Sequence, residues 1–459
     1  RALDGACARP EVTPKLLDRA ARRLLGLYRG GGRPVREAIQ EMRICWDPRL
    51  SANVAVSLAR EFLAAVHECR LESARDMIRV TLGRMDIRVL PAVLSSLRTS
   101  TYESERILAL DLFGELLHEA PEDAGIEEDV VAGGLKLVRK LREEDATRRA
   151  ALEAAGRAAA GVLMSAKEVD GLAEELVGLL GRVSYAYDVA SALAWVAGGP
   201  RLSSKVRTKI GMRFLELLDA EYPQQVGRQR KTAEGIVLDV SHSSRAYTDL
   251  VPSVLRGLEG VALAADTPTA FREGLIERLL ARWSALLEFE VVWGPSNTIH
   301  LAGILGRLAG SPVCPEYLGR RLAEALLRRV TNLAVLEILS DLFARESRLD
   351  VPDLCERFVE DLLRISAERE FQEPDDREVV LRALGKVAGR TALHASPVKG
   401  EALRRRVIEA LLEGRRQNFS VAQVGLERLK EDEHLPAALR KRIAERLEFS
   451  GIARGARGR

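Results

Sequence analysis

One helical pattern recurs along this chain of 459 residues. It appears as Ser104-Glu-Arg-Ile-Leu-Ala-Leu-Asp-Leu-Phe-Gly114 and Ala146-Thr-Arg-Arg-Ala-Ala-Leu-Glu-Ala-Ala-Gly156. It returns as Thr298-Ile-His-Leu-Ala-Gly-Ile-Leu-Gly306 and Arg377-Glu-Val-Val-Leu-Arg-Ala-Leu-Gly385. Each copy opens on polar residues, continues through a small or branched apolar run, and closes on glycine. A unit of this size cannot bury its apolar surface alone, so successive units must stack. Comparable small or polar anchors fall at Gly114, Gly156, Ala194, Asp239, Gly306, Ser340 and Gly385, at intervals of 42, 38, 45, 67, 34 and 45 residues. Five of the six lie near the roughly 40–47 residues of a two- or three-helix repeat. The long interval after Asp239 calls for an insertion or an extra helix.

The expected architecture is all-α: an α-α superhelix of roughly nine to eleven helix pairs. The chain is 47% hydrophobic but only 5% aromatic, which suits helices packed through Leu, Ala and Val. In 104–117, Ile107, Leu108, Leu110, Leu112, Phe113, Leu116 and Leu117 cover well over half the helix circumference, as a helix held between two neighbours requires. Thr13-Pro14 reads as a helix start, with Thr as N-cap and Pro at the first helical position. Ser100-Thr-Tyr-Glu103 and Asp375-Asp-Arg-Glu378 read as capping boxes. A helix is expected over 230–243, and essentially no sheet, because alternating β-branched runs with hairpin turns are nearly absent.

Breaks in the pattern divide the chain. Residues 1–199 form an N-terminal solenoid arm, 200–230 a candidate hinge, 231–450 a C-terminal arm and 451–459 a flexible basic tail. The hinge assignment rests on Gly198-Gly-Pro-Arg-Leu-Ser-Ser204 and Tyr222-Pro-Gln-Gln-Val-Gly-Arg228, where Gly, Pro and Gln replace packed apolar residues.

Two of the quoted helices carry a family resemblance. Thr147-Arg-Arg-Ala-Ala-Leu-Glu-Ala-Ala-Gly156 and Asp376-Arg-Glu-Val-Val-Leu-Arg-Ala-Leu-Gly385 resemble the second helix of HEAT repeats, with an Armadillo-like alternative for the copies that lack the Asp and Arg. The resemblance is good over about three repeats. It implies a superhelix that binds proteins, and sometimes nucleic acid, and it carries no catalytic residue.

Charge and cysteine usage narrow the partners. The net charge is only +3, which does not demand nucleic acid. Arginine outnumbers lysine 59 to 11, as codon usage in a GC-rich genome would give. The five cysteines are scattered and odd in number, which reads as reduced thiols in a cytoplasmic protein. No apolar run is long enough for a membrane span, and the first residues do not read as a signal peptide.

Candidate chemistry is thin. Glu115 and His118 have the spacing of a helical carboxylate–histidine metal pair but lack the further ligands such a site needs. Cys45, His67 and Cys69 lack any Cys-x-x-Cys element, so Cys45 and Cys69 read as core fillers, as does Cys355. No cofactor, metal or catalytic residue is assigned, and the chain reads as a non-enzyme; an enzyme or metal-binding helical protein is the remote alternative.

The leading function is a protein-binding scaffold or adaptor that uses the concave face of the superhelix. The alternative is nucleic-acid binding through arginine-rich faces of the C-terminal arm. Arg382, Lys386 and Arg390 are spaced by four and share a helix face. Arg404, Arg405 and Arg406 follow, and Arg228, Arg230 and Lys231 flank the mid-chain break. Trp293, beside a Gly-Pro turn, is the candidate protein-binding anchor. Trp46, Trp195 and Trp283 are expected in the interior.

Overall fold

The computed structural model describes residues 12–31, 39, 43–68, 72–180, 186–226, 229–232, 235–238, 245–289, 294–344, 351–368, 373–388, 397–417, 419–432 and 435–455. The chain forms two compact units, Arg1–Asp266 and Thr267–Arg459. The expected break at 200–230 lies within the first unit, and most of it is one helix. The basic tail expected at 451–459 is helical as far as Gly455; its remaining residues lie outside the described set.

The first unit contains α1 (Pro14–Gly30), α2 (Ala52–Ala65), α3 (Glu72–Gly83), α4 (Leu90–Thr99), α5 (Glu103–Glu119), α6 (Glu128–Arg142) and α7 (Arg148–Ala160). It continues with α8 (Ala166–Leu179), α9 (Ala186–Ala197), α10 (Ser204–Val226), strands β1 (Gln229–Thr232) and β2 (Gly235–Leu238), and α11 (Arg245–Leu263). Helices α3, α5, α7, α9 and α11 pack one on the next in an odd layer. In the even layer α1 packs on α2, α2 on α4, α4 on α6, and α8 on α10. The pairs α4–α5, α6–α7, α8–α9 and α10–α11 join the layers.

The second unit repeats this plan with α12 (Thr269–Phe289), α13 (Gly294–Gly310), α14 (Glu316–Leu327), α15 (Leu333–Leu342), α16 (Pro352–Ala367), α17 (Pro374–Val387), α18 (Pro397–Arg416), α19 (Ser420–Glu431) and α20 (Ala437–Gly455). Its odd layer is α13–α15–α17–α19 and its even layer α12–α14–α16–α18. Each unit is therefore a stack of helix pairs, the all-α repeat solenoid that the recurring pattern implies.

The recurring glycines sit where odd-layer helices touch. A Cβ at Gly156 on α7 would lie 2.5 Å from the Ala192 carbonyl oxygen on α9, and one at Gly114 on α5 2.8 Å from the Ala154 Cα on α7. In the second unit a Cβ at Gly385 on α17 would meet the Gly425 Cα on α19 at 2.9 Å. Backbones this close admit no side chain, so the closing glycine is a packing requirement of the stack. Between these contacts α5 buries Leu108, Ala109, Leu110, Leu112, Phe113, Leu116 and Leu117, the wide surface expected of a helix with neighbours on two sides.

A second device keeps the even layer in register. The Asp18 carboxylate on α1 accepts from the Ser51 backbone N–H, the N-cap of α2, at 2.9 Å. Asp170 on α8 accepts in the same way from the Ser203 N–H just before α10, also at 2.9 Å. In both cases the fifth residue of one even-layer helix satisfies an N–H that begins the next, a group the helix itself leaves unbonded.

Several local expectations are corrected. The helix expected over 230–243 is instead an antiparallel hairpin, with Arg230 opposite Val237 and Lys231 opposite Ile236. Its second strand, Gly-Ile-Val-Leu, is a β-branched apolar run too short to carry a helical period. The extra chain length thus lies between α10 and α11, ahead of the repeat helix, and the Asp239 anchor falls outside the described residues. Helix α5 begins at Glu103, so Ser100 is not its N-cap; its hydroxyl accepts from the Tyr102 N–H at 3.2 Å and donates to Glu105 at 2.8 Å. Helix α17 begins at Pro374 with Glu373 at its N-cap, which puts Asp375 inside the first turn. Thr13 and Pro14 do hold the expected N-cap and first-turn positions of α1.

Candidate functional site

The odd-layer face of the first unit gathers aromatic and charged side chains from consecutive helices. Along α5 the face carries Asp111, Glu115 and His118, along α7 Arg149, Glu153 and Arg157, and along α9 Tyr187, Asp188 and Trp195. On α5 and α7 the spacing of three or four residues, and on α9 the seven from Asp188 to Trp195, follow from the helical period: buried apolar residues take most of the intervening positions, and these residues take what remains. Trp195 is half-buried rather than interior. Its ring meets His118 edge to face at a centroid distance of 5.4 Å, and the Arg157 guanidinium lies 5.5 Å from its centre. About two helical turns away, Arg149 lies over the Tyr187 ring at 5.4 Å.

Charges on this face are mutually compensated. Arg157 Nη2 donates to Glu153 at 2.5 Å, and Arg149 lies 3.7 Å from Asp188. Burial raises the Asp111 carboxyl above the usual aspartate range; Arg157 and Arg79 oppose the shift, and Glu153 and Glu115 add to it. Burial raises the Asp188 carboxyl as well, against Arg149. The face therefore offers Trp, Tyr and Arg on three helices packed one on the next, the side-chain types that dominate protein–protein binding energy.

The basic residues singled out in the sequence are arranged differently. On α17, Arg382 donates to Glu337 on α15 at 3.2 Å and to Glu378 at 2.9 Å. Lys386 donates to Asp341, also on α15. The triplet on α18 splits: Arg404 is buried and donates to the Gly400 carbonyl at 3.1 Å, Arg405 pairs with Glu401 at 2.6 Å, and Arg406 is exposed. Burial lowers the Arg404 pKa, with Asp432 and Glu401 opposing. Arg230 and Lys231 fall on β1, while Arg228, Arg390 and Trp293 lie outside the described residues.

The remaining expectations can be placed too. Cys45 and Cys355 are fully buried, as core fillers are, while Cys69 lies outside the described residues. Trp283 is 1% exposed and its indole N–H donates to the Ala325 carbonyl at 3.0 Å. Among the described residues no group of three or more His, Cys, Asp and Glu side chains is placed to hold a metal ion, and no helix is long and apolar enough to cross a membrane.

The sequence reading missed the Trp195 face. The available signal was the alignment of Asp111, Arg157 and Trp195 near the closing position of successive repeats. Trp195 sits in an alanine-rich run that reads as core.

No protein-family model matches the chain, and no curated protein matches it. Solved structures with some likeness include yeast importin-beta (Kap95p), at 12% identity and a TM-score of 0.44 over 93% of this chain and 61% of that one. Kap121p gives 12% identity and a TM-score of 0.37 over 97% of this chain and 52% of that one. An engineered protein gives 16% identity and a TM-score of 0.39, covering 93% and 98%. This chain thus spans about three fifths of Kap95p and half of Kap121p. By the stacking of its own helices it has a HEAT/Armadillo-like repeat fold.

Proposed function

We propose that the chain is a protein-binding repeat scaffold whose odd-layer face on α5, α7 and α9 holds a partner protein. The observation that carries this reading is the position of Trp195: half-buried, flanked by His118 and Arg157, and set among the buried Ala192, Leu193, Ala194 and Val196 of α9. A partner that covers it desolvates an aromatic anchor already packed against His118 and Arg157, which lowers the further cost in side-chain entropy.

Nucleic-acid binding through the C-terminal cations is less well supported. A phosphate-tracking groove needs uncompensated positive charge, and Arg382, Lys386 and Arg405 each already face a carboxylate.

Site-specific photo-crosslinking tests the proposal. A crosslinking residue at Ser191, one helical turn before Trp195, should capture a protein partner, whereas one at exposed Tyr317 on α14 should not. Equal capture from both positions, or none from Ser191 in native extract, would contradict it.

A further inference from the structure

Arg207 on α10 is among the largest fully buried side chains, at 2% exposure. Its Nη2 donates to the Gly199 carbonyl at 2.7 Å and to the Leu202 carbonyl at 3.0 Å, both in the turn between α9 and α10. Its Nη1 donates to Asp266 at 2.5 Å, in the turn after α11 and at the last residue of the first unit. The α9–α10 turn is held from two further sides. Ser203 N–H donates to Asp170 at 2.9 Å, and Gly198 packs so tightly on Gly260 of α11 that a Cβ at Gly260 would lie 2.9 Å from the Gly198 nitrogen. A buried guanidinium with three acceptors on two turns is a shared part: neither turn can open without leaving a desolvated cation short of partners.

We infer that Arg207 is a latch that makes the 198–203 turn and the 264–266 turn open together, so that loss of the Asp266 carboxylate loosens a turn more than 60 residues earlier in the chain. Burial disfavours the charged guanidinium, and Asp266, with Asp170 behind it, holds it charged. Asp266 is itself about half exposed, at 47% of its side chain, so it is the accessible end of the latch and a partner or ion that engages it acts on both turns. The sequence Gly198-Gly-Pro, read as the start of a hinge, is on this account a pinned turn.

Hydrogen exchange of the intact chain tests the latch. In Asp266→Asn the amides of Gly199 and Ser203 and that of Ala264 should all exchange about tenfold faster or more, the size expected when a charge-assisted bond is lost, with the amides of α5 and α7 unchanged. Arg207→Lys, which keeps the charge but cannot span three acceptors, should give the same pattern. Acceleration at Ala264 alone would show that the turns open independently and would overturn the inference. So would unchanged exchange in both variants, or uniform acceleration that includes α5 and α7.

Discussion

Lys386 on α17 donates to Asp341 on α15, 45 residues earlier, and one turn before it Arg382 reaches Glu337 across the same 45 residues. The repeat interval visible in the sequence is therefore also an electrostatic register, with each cation facing the acid one repeat behind it. Both pairs are partly exposed, so their value lies in alignment more than energy, at about 0–1 kcal/mol each. The double variant Glu337→Gln, Asp341→Asn should lose no more than about 2 kcal/mol in chemical denaturation and should gain retention of duplex nucleic acid at low salt. The wild-type chain should show little retention. Strong, steeply salt-dependent retention by the wild type would mean that the paired cations are already available to phosphates.

Close backbone contact predicts an asymmetry among glycines. Gly156→Ala places a methyl 2.5 Å from the Ala192 carbonyl and should destabilise the first unit by about 1–3 kcal/mol. At Gly171, in the interior of α8, nothing lies within 4 Å, so Gly171→Ala should stabilise by about 0.5–1 kcal/mol. Thermal or urea unfolding of the two variants reads the opposite signs directly.

Asp111 predicts a pH-dependent gain. Its carboxyl is raised by burial, so the protonated form suits the folded state and ionisation costs stability. A group of this kind contributes stability below its unfolded pKa and loses it as pH rises through the folded value. Asp111→Asn should therefore be more stable than wild type at neutral pH, and the advantage should shrink toward pH 4 and below, measured by urea midpoints across pH. An advantage that grows on acidification would have the wrong sign.

Cys314 should be a slow thiol. Burial raises its pKa from an ordinary value near 9 to about 11. At pH 8 roughly a thousandth of it is thiolate in the folded chain, so alkylation should lag that of the unfolded chain at least tenfold and catch up as pH approaches 11. Mass spectrometry of the labelled Cys314 peptide follows this site alone.

How much was legible in the sequence follows from the range of each signal. Gly114, Gly156, Gly306 and Gly385 mark their repeats because helical periodicity and the closing glycine are local. The caps of α5 and α17 are not where the sequence suggests because Ser100 and Asp375 have the right chemistry two residues away from the N-cap. The hairpin was missed because Gly-Ile-Val-Leu carries no period of its own. The α17 cations were visible as a stripe, but Glu337 and Asp341, which compensate them, come from another helix and enter only through stacking. Trp195 was hidden for the converse reason: its neighbours Ala192, Leu193 and Ala194 are core, and only the packing of α5, α7 and α9 turns its ring to the surface.

The central claim is that Trp195 anchors a protein partner, and affinity capture with matched variants tests it most directly. Trp195→Ala should remain folded, since its ring is only half-buried, whereas Trp283→Ala should cost about 3–5 kcal/mol as a core truncation. Immobilised wild-type chain should retain a stoichiometric protein partner that survives nuclease treatment, and folded Trp195→Ala should lose it. Retention of the same partner by Trp195→Ala at undiminished affinity would contradict the account.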